Sequence, residues 1–164
     1  NRYVRDKLRD EEHSSSDRER FAYFSPLGTY RSRCSFTEAA NGFSLQTPSA
    51  EGLKLAVWNL QRACWDPAMM SMLYGCRLLA AIHDEAILMV PDDEHLHERA
   101  TEATRLWIEG MKVITPDVTV KAEPAIMRRW QKDAEPVYAK KDGRLRVWEP
   151  GIKYHTDENG RLWV

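Results

Sequence analysis

The chain has 164 residues, of which 43% are hydrophobic and 30% are charged, and its formal net charge at pH 7 is −1. This length suffices for one domain with a hydrophobic core, and its apolar runs fall short of the ~20 residues that a membrane-spanning helix needs. A net charge near zero neither favours nor excludes a nucleic-acid partner, because the local distribution of charge decides such binding.

The cysteines indicate the cellular compartment, and the first residue indicates whether the chain is part of a longer protein. Cys34, Cys64 and Cys76 are an odd number without a Cys-x-x-Cys pair, which argues against a disulfide framework or a structural zinc site. We therefore expect reduced thiols in a cytoplasmic protein. The chain shows no signal peptide and opens at Asn1 rather than Met, so we expect it to be the C-terminal part of a longer protein.

The chain is expected to begin with a charged lead-in and a β-hairpin. Residues 1–20 carry charges of both signs and predict a solvated helix followed by a loop. Residues 21–24 and 29–36 flank a Ser-Pro-Leu-Gly turn, which is a hairpin pattern. The second arm would present Arg31 and Arg33 on one face.

Two helices, a second hairpin and a further strand are expected next. The first helix starts near Pro48, with Glu51 favoured by the N-terminal dipole, and ends before Pro67. Its apolar stripe, spaced by three and four residues, is Leu53, Ala56, Val57, Leu60 and Cys64. The elements that follow are strands 77–82 and 86–90, a helix after Pro91, and a strand over 118–124. The inner face of that second helix is Leu96, Ala100, Ala103, Trp107 and Met111.

This order predicts an α+β fold, in which helices pack on one face of an antiparallel sheet that includes the second hairpin. The dipeptides at 142–143 and 159–160 are Asp-Gly and Asn-Gly, both typical of hairpin turns, and predict a loosely attached β-rich tail. We divide the chain into a lead-in (1–20), a main portion (21–137) and the tail (138–164).

The tripeptide His83-Asp84-Glu85 lies between the two apolar strands of the second hairpin. It could be a polar turn, although turns chosen for geometry alone prefer Gly, Asn and Pro. A carboxylate beside a hydrophobic core is costly unless it is paired or binds a metal, and carboxylate oxygens suit Mg²⁺ or Mn²⁺. Asp84 and Glu85 would supply part of such a site, and another carboxylate must come from elsewhere.

Other candidate motifs carry less information. His95 and His97 are two residues apart on a predicted helix and are expected at the surface, on different faces. Arg31 and Arg33 could contact phosphates or simply form a solvated face. The sequence contains no HExxH, GxSxG, Walker A or dinucleotide-binding pattern.

Taken in order, three blocks resemble the C-terminal part of the palm of family A DNA polymerases (the DNA polymerase I class), above all the phage and phage-derived branch. The blocks are residues 37–56 (TEAANGFSLQTPSAEGLKLA), residues 82–85 (IHDE), and residues 110–150 with Gly110, Pro116-Asp117, Trp130 and a Trp-Glu-Pro end. The resemblance covers about residues 20–150 and implies an incomplete, palm-like α+β fold.

The resemblance also implies roles for individual residues. Asp84 would bind metal, with Glu85 as a supporting carboxylate, at a centre where two Mg²⁺ ions activate the primer 3′-hydroxyl and stabilise the leaving pyrophosphate. His83 would contact the primer-terminal nucleotide and Gln46 the minor groove near the primer end. The same likeness puts Asn41 nearby and makes Arg31 or Arg33 phosphate contacts. Primer–template DNA, deoxynucleoside triphosphates and the N-terminal remainder of the polymerase would be the partners, in a bacterial cell or a phage-infected host.

The chain departs from the family pattern in several places. Asn41 precedes Gln46 by five residues rather than four, Thr47 replaces a Gly, and Thr37 stands where many members have an Arg. The motif with the other metal-binding Asp and the fingers helix have no counterpart here. We therefore expect a polymerase fragment that is inactive alone.

Two other functions remain open. The chain could be a nucleic-acid-binding, palm-like module without chemistry, or a subunit of a split polymerase. A metal-dependent nuclease built on Asp84 and Glu85 is the third hypothesis.

Overall fold

The computed structural model of the protein describes residues 21–25 and 27–164, so the predicted lead-in lies outside the described residues. The helices are α1 (Phe36–Asn41), α2 (Thr47–Trp65) and α3 (Leu96–Ile114), with a π-helical turn at Gly42–Gln46 and a 3-10 turn at Pro67–Met69. The longer strands are β1 (Phe21–Phe24), β2 (Tyr30–Cys34), β3 (Arg77–Ile82), β4 (Glu85–Met89) and β7 (Leu145–Trp148). Two-residue strands are β5 (Ile126–Met127), β6 (Val137–Tyr138), β8 (His155–Thr156) and β9 (Leu162–Trp163).

Helices α1 and α2 form one continuous helical run through the π-helical turn. The run begins with a capping box, in which the Ser35 hydroxyl accepts from the Glu38 backbone N–H and the Glu38 carboxylate accepts from the Ser35 N–H. The α-helix α2 begins at Thr47 with Pro48 in its first turn, as predicted, but α1 and the π-helical turn precede it without a break. Proline lacks an N–H, and in an α-helix its ring would clash with the carbonyl four residues earlier. The wider turn just before Pro48 accommodates it, and the Thr47 N–H donates to the Gly42 carbonyl, five residues back.

The main core lies between α2 and α3. The predicted stripe of α2 is confirmed at Ala56, Leu60 and Cys64, which are buried. On α3 the predicted face is only half-buried, whereas Leu106 and Gly110 are buried. The part of α3 that contacts α2 is centred on Gly110, because the two helices approach each other closely there. An added Cβ on Gly110 would lie 2.4 Å from the Ala56 backbone nitrogen.

The second hairpin, β3–β4, covers this core with one of its faces. Leu78, Ala86 and Leu88 pack against the buried cluster. The two strands pair antiparallel with a bulge at Leu79, which has no partner opposite. The outer side of the hairpin is apolar and exposed: Leu79 is 59% exposed, and Ile82 and Met89 are 44% and 48% exposed.

The α+β class is confirmed, but the expected single sheet is not. In the described part of the chain the strands form three sheets: β1–β2, β3–β4, and a five-stranded sheet in the order β5-β7-β6-β9-β8. The last sheet is mixed, since β5–β7 and β6–β9 are parallel pairs. The strand predicted over 118–124 is not formed, because alternating side chains make a strand only where a neighbouring backbone pairs with them.

The C-terminal sheet packs around Val137 and Leu145 and takes strands from both sides of the predicted division at residue 138. Polar contacts attach it to the start of α3. Arg144 forms an ion pair with Glu98 at 2.6 Å, and the Leu145 N–H donates to Nδ1 of His97 at 3.0 Å. His97 is therefore partly buried and structural, rather than a surface residue as the sequence suggests. None of the helices among the described residues is long and apolar enough to cross a membrane.

Candidate functional site

The candidate metal-binding carboxylates lie at the end of the β3–β4 hairpin. Ile82 pairs with Glu85, so His83 and Asp84 form a two-residue turn. His83 has a φ of +54°, in the left-handed region that costs an L-residue other than Gly about 1–2 kcal/mol. Two-residue hairpin turns with a positive φ at the first position usually carry Gly there. The chain therefore places an ionisable side chain, His83, where backbone geometry alone would favour glycine.

The tripeptide is exposed, which corrects the argument from burial. His83, Asp84 and Glu85 are all exposed to solvent, because a two-residue turn projects beyond the core that the strands cover. The cost of a buried carboxylate therefore does not apply here. Among the residues that the structure describes, no group of three His, Cys, Asp or Glu side chains could hold a metal ion.

A cleft of about 250 Å³ lies between the β1–β2 hairpin and the N-terminal part of α2. Two of the predicted DNA-contacting residues line it: Arg31 from the hairpin and Gln46 from the π-helical turn. The other lining residues, which sequence reasoning did not select as site residues, are Tyr23, Thr29, Thr47, Ala50, Glu51 and Lys54. Arg31 and Lys54 are exposed and form no ion pair within 4 Å among the described residues. The cleft thus offers two cations, an amide and hydroxyl groups to a ligand.

The hairpin is held on the helix by Tyr23 and Glu51. The Tyr23 hydroxyl lies 2.8 Å from Thr47 Oγ1, and its ring meets Phe43 edge-on. An added Cβ on Gly42 would lie 2.4 Å from the Tyr23 hydroxyl oxygen, so this glycine makes room for the ring. Glu51, only 1% exposed, accepts hydrogen bonds from the turn of the hairpin.

The Glu51 carboxylate is ionised despite its position. Burial alone would raise its pKa, but hydrogen bonds from Ser25, Thr29 and the Leu27 N–H, together with the charge of Lys54, outweigh burial and lower the pKa below its usual value. The sequence suggested an acid in the first turn of a helix. Because α1 and the π-helical turn precede α2 without a break, Glu51 lies well inside the helical run that starts at Phe36, and it faces the hairpin.

The π-helical turn changes the relation between Asn41 and Gln46. In an α-helix, residues five apart do not share a face, whereas a π-helical turn joins residues i and i+5. Asn41 and Gln46 bracket this turn, and both are exposed. Their five-residue separation is therefore equivalent to four residues of an α-helix. Gln46 lines the cleft, and Asn41 is not among its lining residues.

Arg33 does not share the position of Arg31, which corrects the expectation of a common face. The register of β1 and β2 shifts between the pairs Tyr23–Arg31 and Phe21–Cys34, so Arg33 lies within the irregular segment, where it has a φ of +59°. A bulge of this kind adds a residue to one strand and interrupts the alternation of its side chains. Arg33 is exposed but does not line the cleft.

The structure thus presents two separate features: the exposed hairpin turn with Asp84 and Glu85, and the cleft with Arg31 and Gln46. None of the residues 83–85 lines the cleft. In the sequence, Glu51 and Lys54 are one helical turn apart and flank Gly52 and Leu53, which are buried and half-buried in the structure. This pair of charged residues next to apolar helix positions is the signal that could have indicated the cleft. Comparison with protein-family models, curated proteins and solved structures finds no match for this chain.

Proposed function

We propose that the chain is the C-terminal palm portion of a DNA-directed DNA polymerase of family A. In the intact enzyme it would contribute to template-dependent nucleotidyl transfer onto a primer 3′-hydroxyl by a two-metal mechanism. Such an enzyme would work in the cytoplasm of a bacterial cell or a phage-infected host. The ordered likeness of residues 37–56, 82–85 and 110–150 to that family is the reason for naming this reaction.

The observation that carries the proposal is the His83-Asp84 turn. A left-handed, non-glycine residue in a two-residue turn is uncommon, and such conformations concentrate at functional sites. The turn presents the carboxylates of Asp84 and Glu85 outward on a hairpin whose inner face is anchored in the core. A carboxylate on an anchored strand end can be held in a fixed place toward a substrate.

The donor set fits divalent metal ions in part. Mg²⁺ prefers oxygen ligands and commonly takes one or two carboxylates, water and substrate phosphates, so Asp84 with Glu85 could supply the protein share of one ion. When bound, two such ions would polarise the 3′-hydroxyl and offset the charge of the leaving pyrophosphate. A further carboxylate would have to come from the remainder of the polymerase.

The surroundings of the hairpin support a role within a larger assembly. Its outer side exposes Leu79, Ile82 and Met89, and within the described residues β3 and β4 pair only with each other. The N-terminal remainder of the polymerase would cover this apolar side and bring its own carboxylate to Asp84.

The cleft supports contact with primer–template DNA. Arg31 and Lys54 would neutralise phosphates, and Gln46 can both donate and accept hydrogen bonds at minor-groove base edges. Asn41, one π-helical turn before Gln46, would contact the same strand of DNA. His83 would contact the primer-terminal nucleotide from the hairpin turn.

The test is primer extension by the full gene product that carries this chain. Asp84→Asn keeps the shape of the side chain and removes its charge, and we expect extension to fall at least about 100-fold with the melting temperature unchanged, since the turn is exposed. Asp133→Asn, the same change at another exposed aspartate, should leave the rate unaltered. Extension by Asp84→Asn at the parent rate would reject Asp84 as a metal ligand.

A nucleic-acid-binding function without chemistry is the second candidate, because the cleft is separate from the hairpin turn and has lining residues from this chain on both of its sides. It would also suit a subunit of a split polymerase. In that case the 164-residue chain would bind primer–template DNA, and Asp84→Asn would alter neither binding nor any extension by the full gene product. Mg²⁺-dependent cleavage of the DNA by the chain alone would instead favour a nuclease.

A further inference from the structure

Glu51 connects helix α2 to the turn of the first hairpin. The Ser25 hydroxyl donates to Oε1 of Glu51, and the Leu27 N–H donates to Oε2 at 3.2 Å. Ser25 is itself buried. Both carboxylate oxygens are therefore used within the fold, and they hold the turn rather than a ligand.

The hydrogen bonds continue from Ser25 into the strand that follows. The Thr29 N–H donates to the Ser25 hydroxyl at 2.8 Å, and the Ser25 N–H donates to the Thr29 carbonyl at 3.0 Å. The Gly28 N–H closes the turn on the Ser25 carbonyl at 2.9 Å. This arrangement ties residue 29, where the second arm of the hairpin starts, to a side chain of the helix.

The two cations of the cleft depend on this tie to different degrees. Arg31 follows Thr29 by two residues and pairs across the hairpin with Tyr23, so its place over the cleft depends on how the hairpin sits. Lys54 lies on α2, one turn after Glu51, and its position does not depend on the hairpin. Loosening the turn would therefore displace one cation and leave the other.

We propose that Glu51 is a positioning residue, which fixes the hairpin turn on α2 and so holds Arg31 opposite Lys54 to bind successive phosphates of a nucleic-acid strand. This proposal rests on the proposed function. Glu51 itself makes no contact with the phosphates. Its negative charge is stabilised by hydrogen bonds from the hairpin turn, which both of its carboxylate oxygens accept, and the two cations are left to face the ligand.

The experiment measures binding of the 164-residue chain to a fluorescent primer–template duplex over a series of salt concentrations. The slope of log Kd against log salt falls by about 0.9 for each phosphate that the protein no longer neutralises. Glu51→Gln keeps the size of the side chain, and Ser25→Ala removes the same link from the other side. Hydrogen exchange of the backbone amides at 27–29 reports the turn directly, and Glu123→Gln, at an exposed position, is the matched control.

We expect Glu51→Gln and Ser25→Ala to speed exchange at 27–29, to leave exchange in α3 unchanged, and to lower the salt slope by about 0.9. Arg31→Ala should lower the slope by the same amount in the parent chain and add nothing in the Glu51→Gln chain. Lys54→Ala should lower it in both. Glu123→Gln should change neither measurement.

The outcomes that overturn the proposal differ from those that overturn the function. If Arg31→Ala lowers the slope equally in both backgrounds, Glu51 does not act through Arg31 and the positioning role is wrong, while DNA binding at the cleft stands. If hydrogen exchange of the amides at 27–29 is unchanged in Glu51→Gln, the positioning role is likewise wrong, while DNA binding at the cleft stands. If neither Arg31→Ala nor Lys54→Ala changes the slope in the parent chain, the cleft does not bind phosphates, and both ideas are rejected.

Discussion

Replacing Gly110 with alanine tests how closely α2 and α3 approach each other. In an isolated helix, alanine is about 1 kcal/mol more favourable than glycine, so helix propensity alone predicts that Gly110→Ala stabilises the protein. The structure predicts the opposite, because the new Cβ would lie 2.4 Å from the nitrogen and 2.5 Å from the Cα of Ala56.

The size of the effect follows from these distances. Ordinary contact begins near 3.4 Å, so the helices would have to separate by about 1 Å at this point. Both atoms belong to the backbone of α2, which cannot rotate away as a side chain would. Overpacking of this kind costs about 3 kcal/mol at the upper end of the usual range. After the gain in helix propensity, a net loss of about 2 kcal/mol remains.

Thermal unfolding followed by circular dichroism measures this loss. For a protein of this size, about 2 kcal/mol corresponds to a fall in Tm of about 4–8 °C. Lys112→Ala, at an exposed position of the same helix, should shift Tm by less than about 2 °C, since surface changes stay within about 0.5 kcal/mol. Ala56→Gly should not rescue Gly110→Ala, because the obstacle is the backbone of residue 56. A Tm that rises in Gly110→Ala would refute the close approach.

Three further predictions concern the C-terminal sheet, the thiols and acid stability. His97→Ala leaves the β7 backbone N–H without its acceptor, a loss of about 1–3 kcal/mol, which should speed hydrogen exchange in the C-terminal sheet; His95→Ala, an exposed control, should not. Burial raises the pKa of the Cys64 and Cys76 thiols, so alkylation of the native protein at about pH 7.5 should be slow and should accelerate on unfolding; rapid alkylation of either would contradict its burial. The pKa of Glu51 is lowered in the folded protein, so its contribution to stability is complete above about pH 4.3 and is lost as the pH falls toward the folded pKa. Between about pH 5 and 3, the Tm of Glu51→Gln should therefore fall less than the Tm of the parent protein. An equal fall in both proteins would contradict the lowered pKa.

Sequence patterns predicted the helices and hairpins because these elements depend on residues that are close together in the sequence. The β3–β4 hairpin appears where its two apolar runs place it, and α2 appears where helical periodicity places it, to within one or two residues at most boundaries. The strand expected over 118–124 failed since a strand also needs a partner backbone, which periodicity cannot supply. Likewise, Pro48 resembles a helix start, and only the preceding π-helical turn lets the helix continue through it.

Among the candidate site residues, sequence position determined that Asp84 and Glu85 follow an apolar strand and lie at a turn, because a hairpin is a local structure. That His83 takes up a left-handed backbone there, and that the carboxylates are exposed, required the register of the strands. The bulge that separates Arg33 from Arg31 has no sequence signal of the kind that glycine provides.

By itself, the sequence determined the α+β class, the two hairpins, the apolar stripe of α2 and the turn that carries Asp84. Each of these follows from residues within a few positions of one another. The tertiary structure alone decided that Glu51 is a buried link rather than a helix-terminal acid, and that Arg31, Gln46 and Lys54 share one cleft. Those relations join separate elements of the chain, such as Ser25 with Glu51 and Tyr23 with Thr47, and their physical cause is the packing of the first hairpin on α2.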